Sequence, residues 1–147
     1  MKTNLNHQLS DPNPKGVEIL SIGTELLLGN IVNTNARWIS EELSKLGLNH
    51  FRQSTVGDNC DRIIRIIQEI SKRSYLLITT GGLGPTPDDL TNEAIAQSFN
   101  ADLFERPYLW SELKQKLSNS KLQDSSSSLR KQCFFPKNAQ IINNPRG

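Results

Sequence analysis

Thr79-Thr80-Gly81-Gly82-Leu83-Gly84-Pro85-Thr86-Pro87-Asp88-Asp89-Leu90-Thr91 lies between a short apolar run, Tyr75-Leu76-Leu77-Ile78, and the helix-forming Asn92-Glu93-Ala94-Ile95-Ala96. Three glycines within Gly81–Gly84 let the backbone turn sharply and come close to a ligand. Pro85 and Pro87 stiffen the exit, and Thr86 and Asp89 have the spacing of a capping box. A strand, a glycine turn with open N–H groups and a helix N-terminus together make a phosphate-binding arrangement. Asp88 and Asp89 would repel a bare phosphate, so the pattern calls for a divalent cation between them. A plain turn with a helix-capping aspartate would need neither the glycine run nor the second carboxylate. The stretch is not a Walker loop, because no Gly-Lys-Ser/Thr follows. It is not a dinucleotide fingerprint either, since Pro87 stands where the third glycine would be.

The other loops fit the same plan. Val17-Glu18-Ile19-Leu20-Ser21-Ile22 reads as an interior strand and runs into Gly23–Gly29, which carries Thr24 and a lone carboxylate, Glu25. Asn33-Thr34-Asn35 reads as a helix start. Ile39, Leu43 and Leu46 follow at i, i+4 and i+7, with Gly47 as the stop and Trp38 as a packing residue. His50–Val56 is a second strand, polar on alternate residues and so nearer an edge. Gly57-Asp58-Asn59 leads to a helix whose core line is Ile63, Ile67 and Ile70. Tyr75–Thr79 is the third strand, and the helix after the glycine loop turns Leu90, Ala94 and Ile95 inward. Pro107 opens a further helix with Leu109, Leu113 and Leu117 inward, and Ser125–Ser128 reads as a flexible connector. Cys133-Phe134-Phe135 and Ala139–Ile142 are each read as a short strand.

Three strand–helix repeats predict an α/β fold with a mainly parallel, right-handed sheet, and ligands outside the strands' carboxyl ends. Gly23–Gly29, Gly57–Asn59 and Gly81–Asp89 each follow a strand, so Glu25, Asp58, Asp88 and Asp89 are expected to gather on one edge. Four converging carboxylates need a cation. Asp58 also has the simpler reading of a helix cap, and Asn33 and Asn35 that of helix-start residues. His7 and His50 have no catalytic partner in the pattern.

Length and composition bound the rest. The chain has 147 residues, enough for one domain, with residues 1–16 read as a flexible leader and 17–147 as the domain. Seventeen basic and fifteen acidic residues give a net charge of +2, with no basic stripe to suggest direct nucleic-acid contact. No apolar run is long enough to span a membrane, and Cys60 and Cys133 match no metal spacing, so a reducing cytoplasm is expected.

The glycine–aspartate stretch, taken with Ile22-Gly23-Thr24-Glu25-Leu26-Leu27-Leu28-Gly29 and Asn33-Thr34-Asn35, closely resembles the competence/damage-inducible CinA family. Val56-Gly57-Asp58-Asn59 and Arg130-Lys131-Gln132 fit that family too, and the resemblance covers roughly residues 17–147. It implies a three-layer sandwich like the molybdopterin-binding domains of the MoaB/Mog type. It also implies hydrolysis of the pyrophosphate of ADP-ribose to AMP and ribose 5-phosphate, with Mg²⁺ or Co²⁺ and K⁺. The two aspartates used by the pterin-binding relatives correspond by motif position to Asp58 and Asp89, which become the expected catalytic pair. Leu83 stands where those relatives typically have threonine, and Asp88 where they often have arginine. Both differences favour a metal-bridged diphosphate over an anionic pterin. CinA chains normally continue past Pro145-Arg146-Gly147, so a part of the module is expected to be missing, and no nicotinamide mononucleotide deamidase domain is expected here.

The expected site therefore has Glu25, Asp58, Asp88 and Asp89 for metal, and Gly23, Thr24, Asn33, Asn35, Gly81, Gly82 and Gly84 for substrate. Its ligand is a small nucleotide or pterin phosphate, and a homo-oligomer is expected. The competing readings are a non-catalytic binding module for such ligands and a protein-interaction role.

Overall fold

Val17–Ile22 forms β1, and all six of its residues are buried. A strand covered on both faces belongs in the middle of a parallel sheet. β1 pairs in parallel with β2 (His50–Val56) on one side and with β3 (Leu76–Thr80) on the other, giving the order β2-β1-β3. The period-two alternation of β1 then divides its side chains between two cores. Leu20 and Ile22 join Ile63, Ile67 and Ile70 of α3 (Cys60–Arg73) and Ala94 of α4 (Thr91–Ser98). Val17 and Ile19 meet Ala36 and Leu43 of α2 (Thr34–Lys45) on the opposite face. The result is a three-layer α/β arrangement with a parallel central sheet. The computed structural model describes residues 16–118, 126–142 and 144.

Local chemistry sets the helix boundaries. Asn33 caps α2 by accepting the Ala36 N–H at 3.1 Å, and Asn59 caps α3 by accepting the Arg62 N–H at 3.1 Å. At the amino end of β1 the carboxylate of Glu18, only 1 % exposed, receives Arg73 Nε and Nη2, each at 2.8 Å, and the Ser74 hydroxyl. This fork ties the end of α3 to the central strand. A smaller unit follows: β4 (Leu103–Glu105), α5 (Pro107–Ser118), α6 (Ser126–Arg130), a 3₁₀ turn at Lys131–Cys133, and β5 (Phe134–Pro136) antiparallel to β4. The Asn92 side chain of α4 donates to Phe134 O at 3.1 Å and fastens this unit to the sandwich.

Several sequence expectations are corrected. Thr24–Leu27 is a single helical turn, α1, where a loop was expected. Leu46 is 72 % exposed, because α2 ends at Lys45 and the chain departs through Gly47 before Leu46 reaches the sheet. Trp38 lies on the outer side of α2 and is exposed. β3 starts one residue later than expected and extends through Thr80. Thr86 and Asp89 do not cap α4, which begins at Thr91 with no side-chain cap. Ser126–Ser128 belong to α6 rather than to a connector, while residues 119–125 lie outside the described residues. Ala139–Ile142 is not a strand: the Ala139 N–H turns back to Pro136 O at 2.9 Å. Cys133 sits in the 3₁₀ turn before β5. The expected leader falls outside the described residues except for Gly16, as do Pro145–Gly147.

Candidate ligand site at the strand ends

The link from β2 through α3 to β3 crosses over β1, so the winding reverses between β1 and β3. In an open parallel sheet a crevice forms at that point, outside the carboxyl ends of the strands. Here a pocket of about 130 Å³ opens there, between Ile22 at the end of β1 and Thr80-Gly81 at the end of β3. Glu25, Asn33 and Asn35 contribute polar groups to its wall, and Ile31 and Val32 contribute apolar ones. Its volume suits a phosphate or a sugar-sized group, since sites for whole drug-sized ligands run to about 300 Å³ or more.

Two amides are fixed from below. Asn33 Nδ2 donates to Ser21 Oγ at 2.8 Å while its Oδ1 caps α2. Asn35 Nδ2 donates to Thr80 Oγ1 at 3.1 Å, which joins the start of α2 to the end of β3. Gly81 has to be glycine. Its φ is +94°, and a Cβ there would lie 2.0 Å from Ile22 O. Gly81 O accepts the buried Thr91 hydroxyl at 2.8 Å, so the glycine turn is held to the first residue of α4.

The remaining expected site residues do not all reach this pocket. Thr24 and Asp58 hold each other at the end of β2: Thr24 N–H donates to Asp58 Oδ2 at 2.8 Å, and Asp58 N–H donates to Thr24 Oγ1 at 3.2 Å. Gly23 leads into that turn, its N–H donating to Val56 O at 2.9 Å. Asp89 is folded into its own loop, accepting the Thr86 N–H at 2.9 Å and the Thr86 hydroxyl at 2.6 Å through Oδ2. Asp88 is exposed on the loop's outer side. Gly82, Gly84 and Asp89 border a separate hollow of about 10 Å³, room for roughly one water molecule. The predicted gathering of four carboxylates is therefore not formed. Among the described residues, no three or more His, Cys, Asp or Glu side chains stand close enough to hold a metal ion. Both aspartates are already engaged: Asp58 by the Thr24 N–H from the neighbouring turn after β1, and Asp89 by Thr86 within its own loop.

Burial of Asp89 pushes its pKa up, but the Thr86 hydroxyl, the Gly84 and Thr86 N–H groups and the charge of Lys131 together hold it below the ordinary aspartate value. A carboxylate held this way remains an anion and is a weak base, so it serves better as an oxygen ligand than as a proton acceptor. The partners responsible include residues that sequence reasoning left without a role. Lys131 Nζ donates to Thr86 O and Asp89 O, and Gln132 Nε2 donates to Leu83 O at 3.0 Å. Resemblance flagged these residues without showing what they touch. A third cavity of about 370 Å³, bounded by Leu109, Leu113, Phe135 and Ile141, lies beyond Leu83 and does not include the strand-end residues.

A family model described as "Probable molybdopterin binding domain" matches residues 18–145. A solved CinA structure from Thermoplasma acidophilum, whose function its description gives as unknown, is 32 % identical. It covers 92 % of this chain and 78 % of its own, with a TM-score of 0.80. This chain belongs to the CinA family. A CinA-like protein of Prochlorococcus marinus is 86 % identical over 136 residues, which are 92 % of this chain and 32 % of that relative. A Synechococcus CinA-like protein is 58 % identical over 90 % of this chain and 31 % of its own length. The chain thus spans about a third of the length of the curated relatives it matches. The molybdopterin-biosynthesis protein MoaB of Thermus thermophilus shares the fold, with a TM-score of 0.53 at 23 % identity over 79 % of this chain and 70 % of its own. Among the described residues no helix is long and apolar enough to cross a membrane.

Proposed function

We propose that this CinA module binds a nucleotide-sugar diphosphate, such as ADP-ribose, and hydrolyses it to AMP and ribose 5-phosphate. The observation that carries the reading is the pocket at the reversal between β1 and β3, where the Asn33 and Asn35 amides, the Glu25 carboxylate and Gly81 meet. The pocket admits one phosphate or ribose, and the rest of the substrate lies along the rim past Ile31 and Val32, which are both exposed. Water adds to one phosphorus, the bridging P–O bond breaks, and the displaced phosphate oxygen takes a proton.

The donors present suit a hard divalent cation such as Mg²⁺ or Co²⁺, because all four expected ligands are carboxylates. They do not form a complete cage, but Mg²⁺ is commonly held by one or two carboxylates together with substrate phosphates. Glu25 on the pocket wall would hold it together with the substrate's phosphate oxygens, with K⁺ as a further ion, while Asp89, which borders the separate hollow, would shape the glycine–aspartate loop beside it. When bound, such an ion offsets diphosphate charge and lowers the pKa of bound water. The chain's own part is orientation. Asn33 and Asn35 point a ribose or phosphate, and main-chain N–H groups at the Gly81–Gly82 turn face anionic oxygens.

The self-contained bonding of Asp89 favours a second reading, a non-catalytic module that binds a nucleotide or pterin phosphate. Incubation with ADP-ribose, Mg²⁺ or Co²⁺ and K⁺ separates the two. AMP and ribose 5-phosphate are expected from the wild type, and none from an Asp89→Ala variant shown to be folded by circular dichroism. No product from folded wild type, or equal turnover by the variant, overturns the hydrolase reading.

A further inference from the structure

Lys131 looks at first like a phosphate-binding lysine, a cation beside a glycine turn in a nucleotide-like site. Its ammonium is instead turned to the protein itself. It donates to Thr86 O at 3.2 Å and to Asp89 O at 2.5 Å, and it forms an ion pair with Glu93 Oε1 at 3.3 Å. The side chain is only 27 % exposed. The next residue, Gln132, takes Leu83 O. Two neighbouring residues on one 3₁₀ turn thus hold three carbonyls of the Leu83–Asp89 loop from more than forty positions downstream. Each peptide plane carries its C=O and the following N–H in opposite directions. Pulling Leu83 O toward Gln132 therefore turns the Gly84 N–H the other way, toward the Asp89 carboxylate that it helps to hold. Among the described residues Glu93 Oε2 is buried with no hydrogen-bond partner, and Lys131 is the cation paired with this carboxylate.

We propose that Lys131, backed by Gln132, is a positioning residue: it does not touch the ligand, but fixes the backbone of the glycine–aspartate loop on which the ligand is bound. The functional part of this inference rests on the reading of that loop as part of the ligand site. Removing the ammonium leaves two carbonyls without their donor and Glu93 without its cation, whereas arginine at the same place restores charge and N–H groups. Arg130 is the control. It pairs with Glu105 at 2.7 Å on the exposed side and donates nothing to the loop.

The test compares wild type with Lys131→Met, Lys131→Arg and Arg130→Met. Hydrogen–deuterium exchange is followed at the 82–90 amides and at β1, and kcat and KM for ADP-ribose are measured with Mg²⁺. In Lys131→Met the loop amides are expected to exchange about tenfold faster while β1 stays protected. kcat is expected to fall at least about tenfold with KM changed less, as for lost orientation rather than lost binding. Arginine is expected to recover most of both, and Arg130→Met to match wild type. Unchanged loop exchange in Lys131→Met overturns the proposal. So does faster exchange with unaltered kcat, and so does a rise confined to KM, which would make Lys131 a direct ligand contact. If wild type is inactive, the hydrolase reading fails, and the exchange data together with binding of ADP-ribose still judge the positioning role.

Discussion

Replacing Gly81 by alanine tests whether the glycine turn must press against the end of the central strand. Gly81 has φ +94°, and an added Cβ would sit 2.0 Å from Ile22 O, a backbone atom of β1 that no rotamer change can move. Gly29 supplies the comparison: its φ is +71°, but a Cβ there meets nothing within 4 Å. Holding an L-residue at left-handed φ costs about 1–2 kcal/mol. Gly29→Ala should show that alone. Forcing extra volume into a packed position adds about 1–3 kcal/mol, so Gly81→Ala should lose roughly 2–5 kcal/mol in all. Against a typical domain stability of about 5–15 kcal/mol, the first variant stays comfortably folded and the second becomes marginal. At about 2–4 °C per kcal/mol for a chain near this size, Tm should drop by a few degrees in Gly29→Ala and by about 10 °C in Gly81→Ala. Thermal melts followed by circular dichroism, with urea titrations to confirm two-state behaviour, measure both. Equal losses in the two variants would refute the close-approach argument, because only the backbone conformation would then matter.

Two further outcomes concern the cores. Glu18→Gln should destabilise by about 3 kcal/mol, since Arg73 loses a buried charged partner. Burial raises the Glu18 pKa, but Arg73, Ser74 and the charge of Arg52 bring the net value below the ordinary glutamate range. A lowered folded pKa means this stabilisation is complete above the unfolded glutamate's pKa and is lost as pH falls through the lower folded value. The gap in urea midpoint between wild type and Glu18→Gln should therefore be full at pH 7 and shrink on acidification; a gap that widens toward low pH would contradict the assignment. Leu43→Ala should cost about 2–5 kcal/mol and Leu46→Ala under about 0.5 kcal/mol, because only Leu43 is buried against β1. Similar midpoints for those two variants would show that α2 continues past Lys45.

What the chain alone determined is whatever depends on neighbours a few residues apart. The unbroken apolar run of Val17–Ile22 marks a central parallel strand, the Ile63–Ile67–Ile70 line marks the buried face of α3, and Asn33 and Asn59 mark helix starts, since each follows from period, propensity or a cap three residues away. The loops expected to carry the site do follow strands, and topology brings Glu25, Asn33, Asn35 and Gly81 to one pocket. Whether a side chain faces the ligand or a nearby turn is another matter. Local spacing placed Asp58 and Asp89 after the right strands, but Thr24 and Thr86 engage their carboxylates, and no periodicity reports which donor wins. Lys131 and Gln132 reach the loop only because β5 pairs with β4 and packs beside α4. Those contacts join residues more than forty apart, and the free energy that selects them comes from tertiary packing rather than from any local preference of the chain.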